Sequence, residues 1–456
     1  MVKARVLSAA LLFVSVALAA GCLPPTAAVP LTHPVFPTGV AVAPDGNHLI
    51  VVSSDFDEAF DDGALFSADL ARVQARTAQG DDKTIVRDAD AYGARAVLIP
   101  RLGDRPVFAH ADGGDRVYLP VRETNRIIEL DVAGNGALSC GTQAAPGTPR
   151  CGDSPGALQL PQSDPFNILI TNCAAAATAS APANCSVAGT LVDGMTTLLS
   201  SSVVTFFQDD ASLTGARRMR ISGTLDLGAN IGGIRSAVLR AAKNGTGAVV
   251  IAAADLSNAA GFIGAKLVLF HPTPASDSTS FDVTAATGAL STRDMVLVPQ
   301  SADNGTTRDA LVVVLRPVGA GCCDALARFE IIDNGALPDV KLTAFKDVCK
   351  TPTQLAYAPN TASHRIDRVL VTCQDDDTVE AIDPVTLEPT DAVRFVGRGP
   401  YGVAVNEVPE PPEAYVSFFG DNSVGVLHLV DGDGQAKLVM RGRIGAQADK
   451  PEDGRQ

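Results

Sequence analysis

Carboxylates gather directly behind the Val-rich stretches of this chain. Asp55, Asp57, Glu58, Asp61 and Asp62 follow one such stretch, Asp375, Asp376 and Asp377 a second, Asp421 and Asn422 a third, and Arg122, Glu123 and Asn125 a fourth. A hard cation such as Ca2+ takes about six to eight oxygen ligands. If these positions converge, Asp55, Asp57, Asp375, Asp376, Asp377 and Asp421 are the candidate metal ligands. The competing reading is that Asp tightens turns through its own side chain, so that the turns of an acidic chain are simply Asp-rich and solvated. No contiguous calcium-loop pattern appears, so solvated turns and no resident cofactor are the expectation, with Ca2+ the alternative. The six histidines, His33, His48, His110, His271, His364 and His428, lie in separate segments without metal spacing. There is no Gly-x-Ser-x-Gly elbow and no recognised Cys-His pattern, so no catalytic residue is assigned.

Nine cysteines are present. Cys140 and Cys151 bracket a Gly/Pro-rich loop, and Cys173 and Cys185 an Ala/Ser-rich one, so local disulfides are expected at both. In the group Cys322, Cys323, Cys349 and Cys373, a vicinal bond is one option and outward pairing of Cys322 and Cys323 to Cys349 and Cys373 is the expectation. Zinc is disfavoured there by the spacing and by the lack of a nearby histidine.

The remaining cysteine, Cys22, ends the run Leu18-Ala19-Ala20-Gly21-Cys22. Lys3 and Arg5 precede apolar residues Val6 to Ala20, too short a run and too close to Pro24-Pro25 for a bilayer span. An export signal is expected. The small residues before Cys22 resemble the lipobox of bacterial lipoproteins. That resemblance implies loss of residues 1–21, acyl chains on Cys22, a tether over 22–35 and firm anchoring to a membrane. Leu23, where retention signals have Asp, implies the outer membrane, on its periplasmic or surface face. An ordinary signal peptide with a coincidental cysteine is the alternative. Without residues 1–21 the chain has 34 Lys plus Arg against 51 Asp plus Glu, a net charge of −17. A polyanion is repelled by such a chain, so nucleic acid is excluded as a partner.

The elements that position these groups repeat. Pro352-Thr353-Gln354-Leu355-Ala356-Tyr357-Ala358 leads to Arg368 to Thr372 and then Asp377 to Asp383; Pro400-Tyr401-Gly402-Val403-Ala404-Val405-Asn406 leads to Ala414 to Ser417 and then Asn422 to His428. Weaker copies give openings at 37, 106, 165, 233, 293, 352 and 400. Each is a short apolar run rich in β-branched residues and ended by turn residues such as Pro44-Asp45-Gly46. Only Leu239 to Lys243 admits a helical turn, with a strand end the alternative. The spacing predicts an all-β fold, a β-propeller of seven blades of four antiparallel strands, six or eight remaining open. Insertions are expected near 141 to 160, 173 to 190 and 272 to 290, the propeller spans 36–447, and 448–456 is a polar tail. The chain has no tryptophan, so the Trp-Asp blade signature and the Trp docking motif of quinoprotein dehydrogenases are both absent.

The phrase is similar to the YVTN-type propeller repeat, in which a Pro-x-Gly-Val-Ala strand, a Pro-Asp-Gly turn and an Asn-x-Val-x-Val-Ile-Asp strand recur. The resemblance covers three or four blades and implies architecture rather than chemistry. The functional expectation is a cell-envelope lipoprotein acting as a non-enzymatic binding or assembly scaffold for protein or polysaccharide. The alternative is a propeller hydrolase resembling lactonases, with a divalent cation at the central channel, for which Arg122, Glu123 and Arg398 are the residues at hand.

Overall fold

The computed structural model describes residues 28–445 apart from 56–59, 94, 113, 141–149, 153–155, 174–184, 214–217, 242–246, 259–260, 300–307, 319–323, 360–366, 395–396 and 433–434. The run Val6 to Ala20, Cys22, Asp57, Glu58, Cys322, Cys323, His364 and the tail 448–456 lie outside the described residues.

Seven antiparallel sheets form seven blades of a β-propeller. Their innermost strands are Pro37–Val42, Val107–Ala111, Pro165–Ile170, Ile231–Ala241, Ala289–Val298, Pro352–Ala358 and Pro400–Asn406, so each repeat opening falls in or beside one of them. Among the described residues five sheets have four strands; that of blade 2 has six and that of blade 7 has five. The turn Pro44-Asp45-Gly46 forms as expected, with Gly46 at φ 71° and its N–H donating to Ala43 O at 2.9 Å. Positive φ is what glycine supplies there.

Alternate residues of a strand point to opposite faces, and here both faces are buried. Val40, Val42, Leu49 and Val51 pack with Tyr415, Val424 and Val426 of blade 7, while Ala41, Ile50, Val52 and Leu65 pack with Phe108, Val117 and Leu119 of blade 2. Among the described residues seven apolar clusters occur, one at each joint between neighbouring blades, including the joint of blade 7 with blade 1. The ring is therefore closed. Burying a Val, Leu or Ile side chain is worth about 1.5–3 kcal/mol, and a face buried on both sides explains why the strands read as near-continuous apolar runs.

The departures from a pure strand pattern sit in the connections. Helix Leu70–Thr77 follows the third strand of blade 1, capped by the Asp69 side chain, with Leu70, Val73 and Thr77 inward. Beyond it Ile85–Val86 pairs in parallel with Arg443 and Ile444, adding a fifth strand to blade 7 from blade 1. The tract 272 to 290 is not a plain insertion, because it holds the outermost strand of blade 4, Ser278–Asp282, and the helical turn Val283–Thr287. The possible helix at Leu239 is strand through Ala241.

Cys140 bonds to Cys151 and Cys173 to Cys185, with Cα separations of 5.5 and 5.0 Å. The expected outward pairing of Cys349 and Cys373 is corrected: these two bond to each other, with Cα atoms 5.8 Å apart. Cys373 ends the second strand of blade 6 and Cys349 lies on the approach to its first. Register therefore brings them together, which sequence spacing alone does not reveal.

Candidate functional site

The connections rich in Asp, Asn and Glu follow the second strands of blades 1, 2, 6 and 7 and meet residues that lead into a blade. Phe36, Asp164, Thr351 and Gly399 each precede a proline and take positive φ, at 48°, 70°, 50° and 61°. Their carbonyls accept from the residue after the second strand of the same blade: Ser54, Leu199, Gln374 and Phe419 donate at 3.3, 2.9, 3.0 and 3.0 Å. Their N–H groups cross the joint to the preceding blade, Phe36 to Asn422 Oδ1 at 2.9 Å, Asp164 to Asn125 Oδ1 at 2.9 Å, Thr351 to Asp324 Oδ2 at 2.7 Å and Gly399 to Asp377 Oδ1 at 2.7 Å. Side-chain oxygens thus take up backbone donors that a buried joint would otherwise leave unpaired.

The other candidates have comparable partners. Asp375 accepts from the Thr351 hydroxyl, and Asp376 Oδ2 from Lys350 N at 2.7 Å. Asp421, buried at 1 % exposure, accepts from Arg398 N at 2.8 Å and Arg398 Nε at 2.7 Å. Asp55 accepts from Phe60 N at 3.1 Å. Arg122 pairs with Asp164 at 2.5 Å, and Glu123 accepts from Arg101 Nε at 2.9 Å. Among the described residues one group of three potential metal ligands has its atoms within 4.8 Å of one another, Cys349, Cys373 and Glu380, and its two sulfurs are joined in a disulfide. The five described histidines also have separate surroundings, His33 against Thr32, His110 against Asp115, His48 against Gly134, His271 against Ala248 and His428 against Glu413.

These contacts predict how the rim responds to substitution. Asp377 has φ 48° as well as its bond to Gly399 N. Asp377→Asn keeps an acceptor oxygen and tolerates the left-handed backbone, so its melting point should match that of the parent. Asp377→Ala loses both, a cost of about 1–3 kcal/mol. Equal loss in both variants, together with a melting point raised by Ca2+ in the parent alone, would instead make Asp377 a cation ligand.

A different set of charged groups lines the central channel on this same face. Six of the seven inner strands carry a β-bulge, at their start between Pro37 and Gly39, Pro165 and Asn167, Pro352 and Leu355, and Pro400 and Val403, and further along between Ile234 and Ser236 and between Thr292 and Met295. A bulge re-aims the extra residue out of the ladder. Phe166, Arg235, Arg293, Asp294, Gln354 and Tyr401 all belong to these segments and border a cavity of about 20 Å³ at the mouth, with Asp104 and Arg105 from the lead-in to blade 2. That space suits one or two waters.

Arg105 reaches across the ring, Nη1 donating to Asp294 Oδ2 at 3.3 Å and Nη2 to Leu355 O at 3.2 Å. Asp294 also accepts from Ser236 Oγ and Leu355 N, both at 2.8 Å. Arg235 donates to Asp255 at 2.7 Å. Arg293 donates to the Tyr401 hydroxyl at 2.7 Å, with the Phe166 and Tyr401 ring centres 5.8 and 5.7 Å from its guanidinium carbon. Burial pushes the Asp104 carboxyl above its usual range, against the pull of Arg293, Arg122 and Arg105. Burial works against the charge of Arg293, but Tyr401, Asp104 and Asp294 outweigh it and hold the group above its ordinary value. Such a mouth can orient an anionic or hydrogen-bonding group. Among the described residues its lining holds no histidine, cysteine or serine, and its one aliphatic hydroxyl is that of Thr353.

None of Asp55, Asp375, Asp376, Asp377, Asp421, Arg122, Glu123 and Arg398 lines the mouth. The signal that marks the actual lining is inside the repeated phrase. Aligned on their prolines, the repeats vary most at the next two positions, Thr38-Gly39, Phe166-Asn167, Thr353-Gln354 and Tyr401-Gly402, and those are the bulged ones.

No protein-family model matches the chain, and no curated protein matches it in sequence. Among solved structures it is similar to Chaetomium thermophilum Sqt1 bound to the N-terminus of the ribosomal protein L10, with TM-score 0.49, 11% identity and 90% of this chain and 88% of that one covered. It is also similar to a protein from Lactobacillus plantarum, with TM-score 0.46, 15% identity and coverage of 77% and 82%. For Kluyveromyces lactis Hsv2 the TM-score is 0.44, the identity 8% and the coverage 89% and 98%. All three similarities are distant.

Proposed function

We propose that this chain is a cell-envelope lipoprotein, exported, cut before Cys22 and held at the outer membrane by acyl chains on that residue, whose propeller is a non-enzymatic scaffold for a protein or polysaccharide partner. The observation that carries the scaffold reading is how the charged groups are used. Rim carboxylates and guanidiniums bind one blade to the next, and the described lining of the mouth offers donors, acceptors and aromatic faces without a histidine, cysteine or serine. A closed ring with self-satisfied joints is a rigid platform, and rigidity lowers the ordering cost of binding. The lipobox-like run before Cys22 and the likeness of the phrase to YVTN-type repeats support export and an architecture without an inherent reaction. On this reading no resident cofactor is needed.

The test has two arms in one strain. Metabolic labelling with an alkyne fatty acid should mark the protein and leave Cys22→Ser unlabelled and released from membranes. A photo-crosslinking residue placed at Val385 or Val408, exposed by 57% and 63%, or at Ile263, exposed by 45%, should capture a discrete macromolecule in intact cells. Labelling that survives Cys22→Ser removes the anchor, and recovery of monomer alone from all three positions removes the scaffold.

A further inference from the structure

Three guanidiniums border the channel mouth, and they are not equivalent. Arg105 meets Asp294 at 3.3 Å and Arg235 meets Asp255 at 2.7 Å. Arg293 has no such partner: among the described residues no carboxylate oxygen lies within 4.0 Å of it, and its one hydrogen bond runs to the neutral Tyr401 hydroxyl. An arginine presents five N–H donors in a planar fork, and Arg293, which lines the cavity, spends one of them among the described residues. The Phe166 and Tyr401 rings beside it, 5.8 and 5.7 Å away, favour a guanidinium against their faces and fix its plane. Asp104, 6% exposed, lines the same cavity and among the described residues accepts a single bond, from Arg105 N at 2.9 Å.

We infer that the channel mouth is a binding site for a small organic carboxylate, seated two-pronged on the fork of Arg293 between the Phe166 and Tyr401 rings. Fork and carboxylate match in geometry and charge, which makes this pairing stronger than a neutral hydrogen bond. The size agrees, since a carboxylate head replaces the one or two waters that the cavity of about 20 Å³ admits. Charge balance selects a single negative group. Asp294 and Asp255 neutralise Arg105 and Arg235, which leaves Arg293 facing Asp104, whose burial disfavours its own charge. A dianion such as sulfate would crowd against Asp104 and Asp294. The inference goes beyond the scaffold reading and does not depend on it, because a partner docked elsewhere on the disc leaves the mouth open.

The experiment is calorimetric titration of the full chain in detergent with acetate and lactate, with acetamide and sulfate as controls. A tripeptide with a free or an amidated C-terminus is the further arm, which separates a polypeptide terminus from a free acid as the source of the carboxylate. Saturable binding is expected for free carboxylates and not for acetamide or the amidated peptide. Arg293→Gln should weaken it at least about tenfold, and so should Arg293→Lys, which keeps the charge and loses the fork. Because either variant can fail to fold, protection of Arg293 in the parent protein from phenylglyoxal, mapped by mass spectrometry, tests the same contact without substitution. Absence of saturable binding for every carboxylate, equal affinity for acetamide, affinity unchanged in folded Arg293 variants, or modification of Arg293 at the same rate with and without the acid would each overturn the proposal.

Discussion

Arg240→Ala is expected to destabilise the propeller by about 3–5 kcal/mol, the cost of breaking a buried ion pair by removing one partner. Arg240 ends the inner strand of blade 4 with its side chain only 2% exposed, and it holds two acids of blade 5. Its Nε donates to Asp309 at 2.5 Å, while Nη1 and Nη2 fork onto Asp333 at 2.5 and 2.7 Å. Burial opposes the charge, but the bonds to Asp333 and Asp309 outweigh it and raise the guanidinium above its ordinary value. Asp309 and Asp333 keep 15% and 25% exposure. Water reaches them when the arginine is gone, which places the loss nearer the lower bound. Urea midpoints of the parent, Arg240→Ala and Arg240→Lys measure it, with the lysine variant intermediate because it restores one charge without the fork. An alanine variant within about 0.5 kcal/mol of the parent, the range of ordinary surface substitutions, would mean that the joint does not rely on this pair.

Raising the pH from about 5 to about 9 should weaken the joint of blades 2 and 3 steadily, and Glu129→Gln should abolish that trend. Glu129 and Asp209 are fully buried beside Asp131, against Arg116 and Arg218. Arg218 reaches Glu129 at 2.5 Å and both Asp131 and Asp209 at 3.1 Å; Arg116 reaches Asp209 at 3.0 Å, and the Tyr118 hydroxyl donates to Asp209 at 2.6 Å. Three acids face two guanidiniums. Burial first, then repulsion from Asp209 and Asp131, carries the Glu129 carboxyl up to about 9 against the pull of Arg218. In the unfolded chain it titrates near its ordinary 4.5. Below that value both states are protonated and the contribution is complete. Above it the unfolded chain releases a proton that the folded one keeps, so stability falls with pH until the folded form also ionises. The slope approaches about 1.4 kcal/mol per pH unit at most. Thermal midpoints at several pH values across this window, for parent and Glu129→Gln, measure it. Parallel curves for the two proteins would remove Glu129 as the cause.

The fold is legible in the sequence because the inner strands of each blade are buried on both faces, so apolar runs such as His48–Ser53 and Arg368–Cys373 are hard to mistake. The helix at Leu70–Thr77 has a readable signal as well, an Asp69 cap followed by apolar groups at Leu70 and Val73, but it sits where a strand repeat leads the eye past it. Partnership across joints is a different matter. Asp377 and Asn422 stand at corresponding places in their repeats, yet what they bind, Gly399 and Phe36, depends on which blade the ring sets beside them. The pairing of Cys349 with Cys373 follows from strand register for the same reason. The mouth residues are hidden more thoroughly, since a bulge changes where a side chain points without changing its residue type, and Asp104 and Arg105 come from a connection outside the repeated phrase.

The fifth strand of blade 7 has a consequence in time. Ile85–Val86 completes the edge formed by Gln435–Ile444, and Phe36 bonds to Asn422 across 386 positions of chain. The loop-closure cost of so distant a contact grows only with the logarithm of its length, so the finished ring is not penalised much for it. The growing chain is. Synthesis runs from the N-terminus, and Val40, Val42, Leu49 and Val51 stay without their blade 7 partners until the last strands exist. Apolar surface left open through that interval favours aggregation until blade 7 covers it.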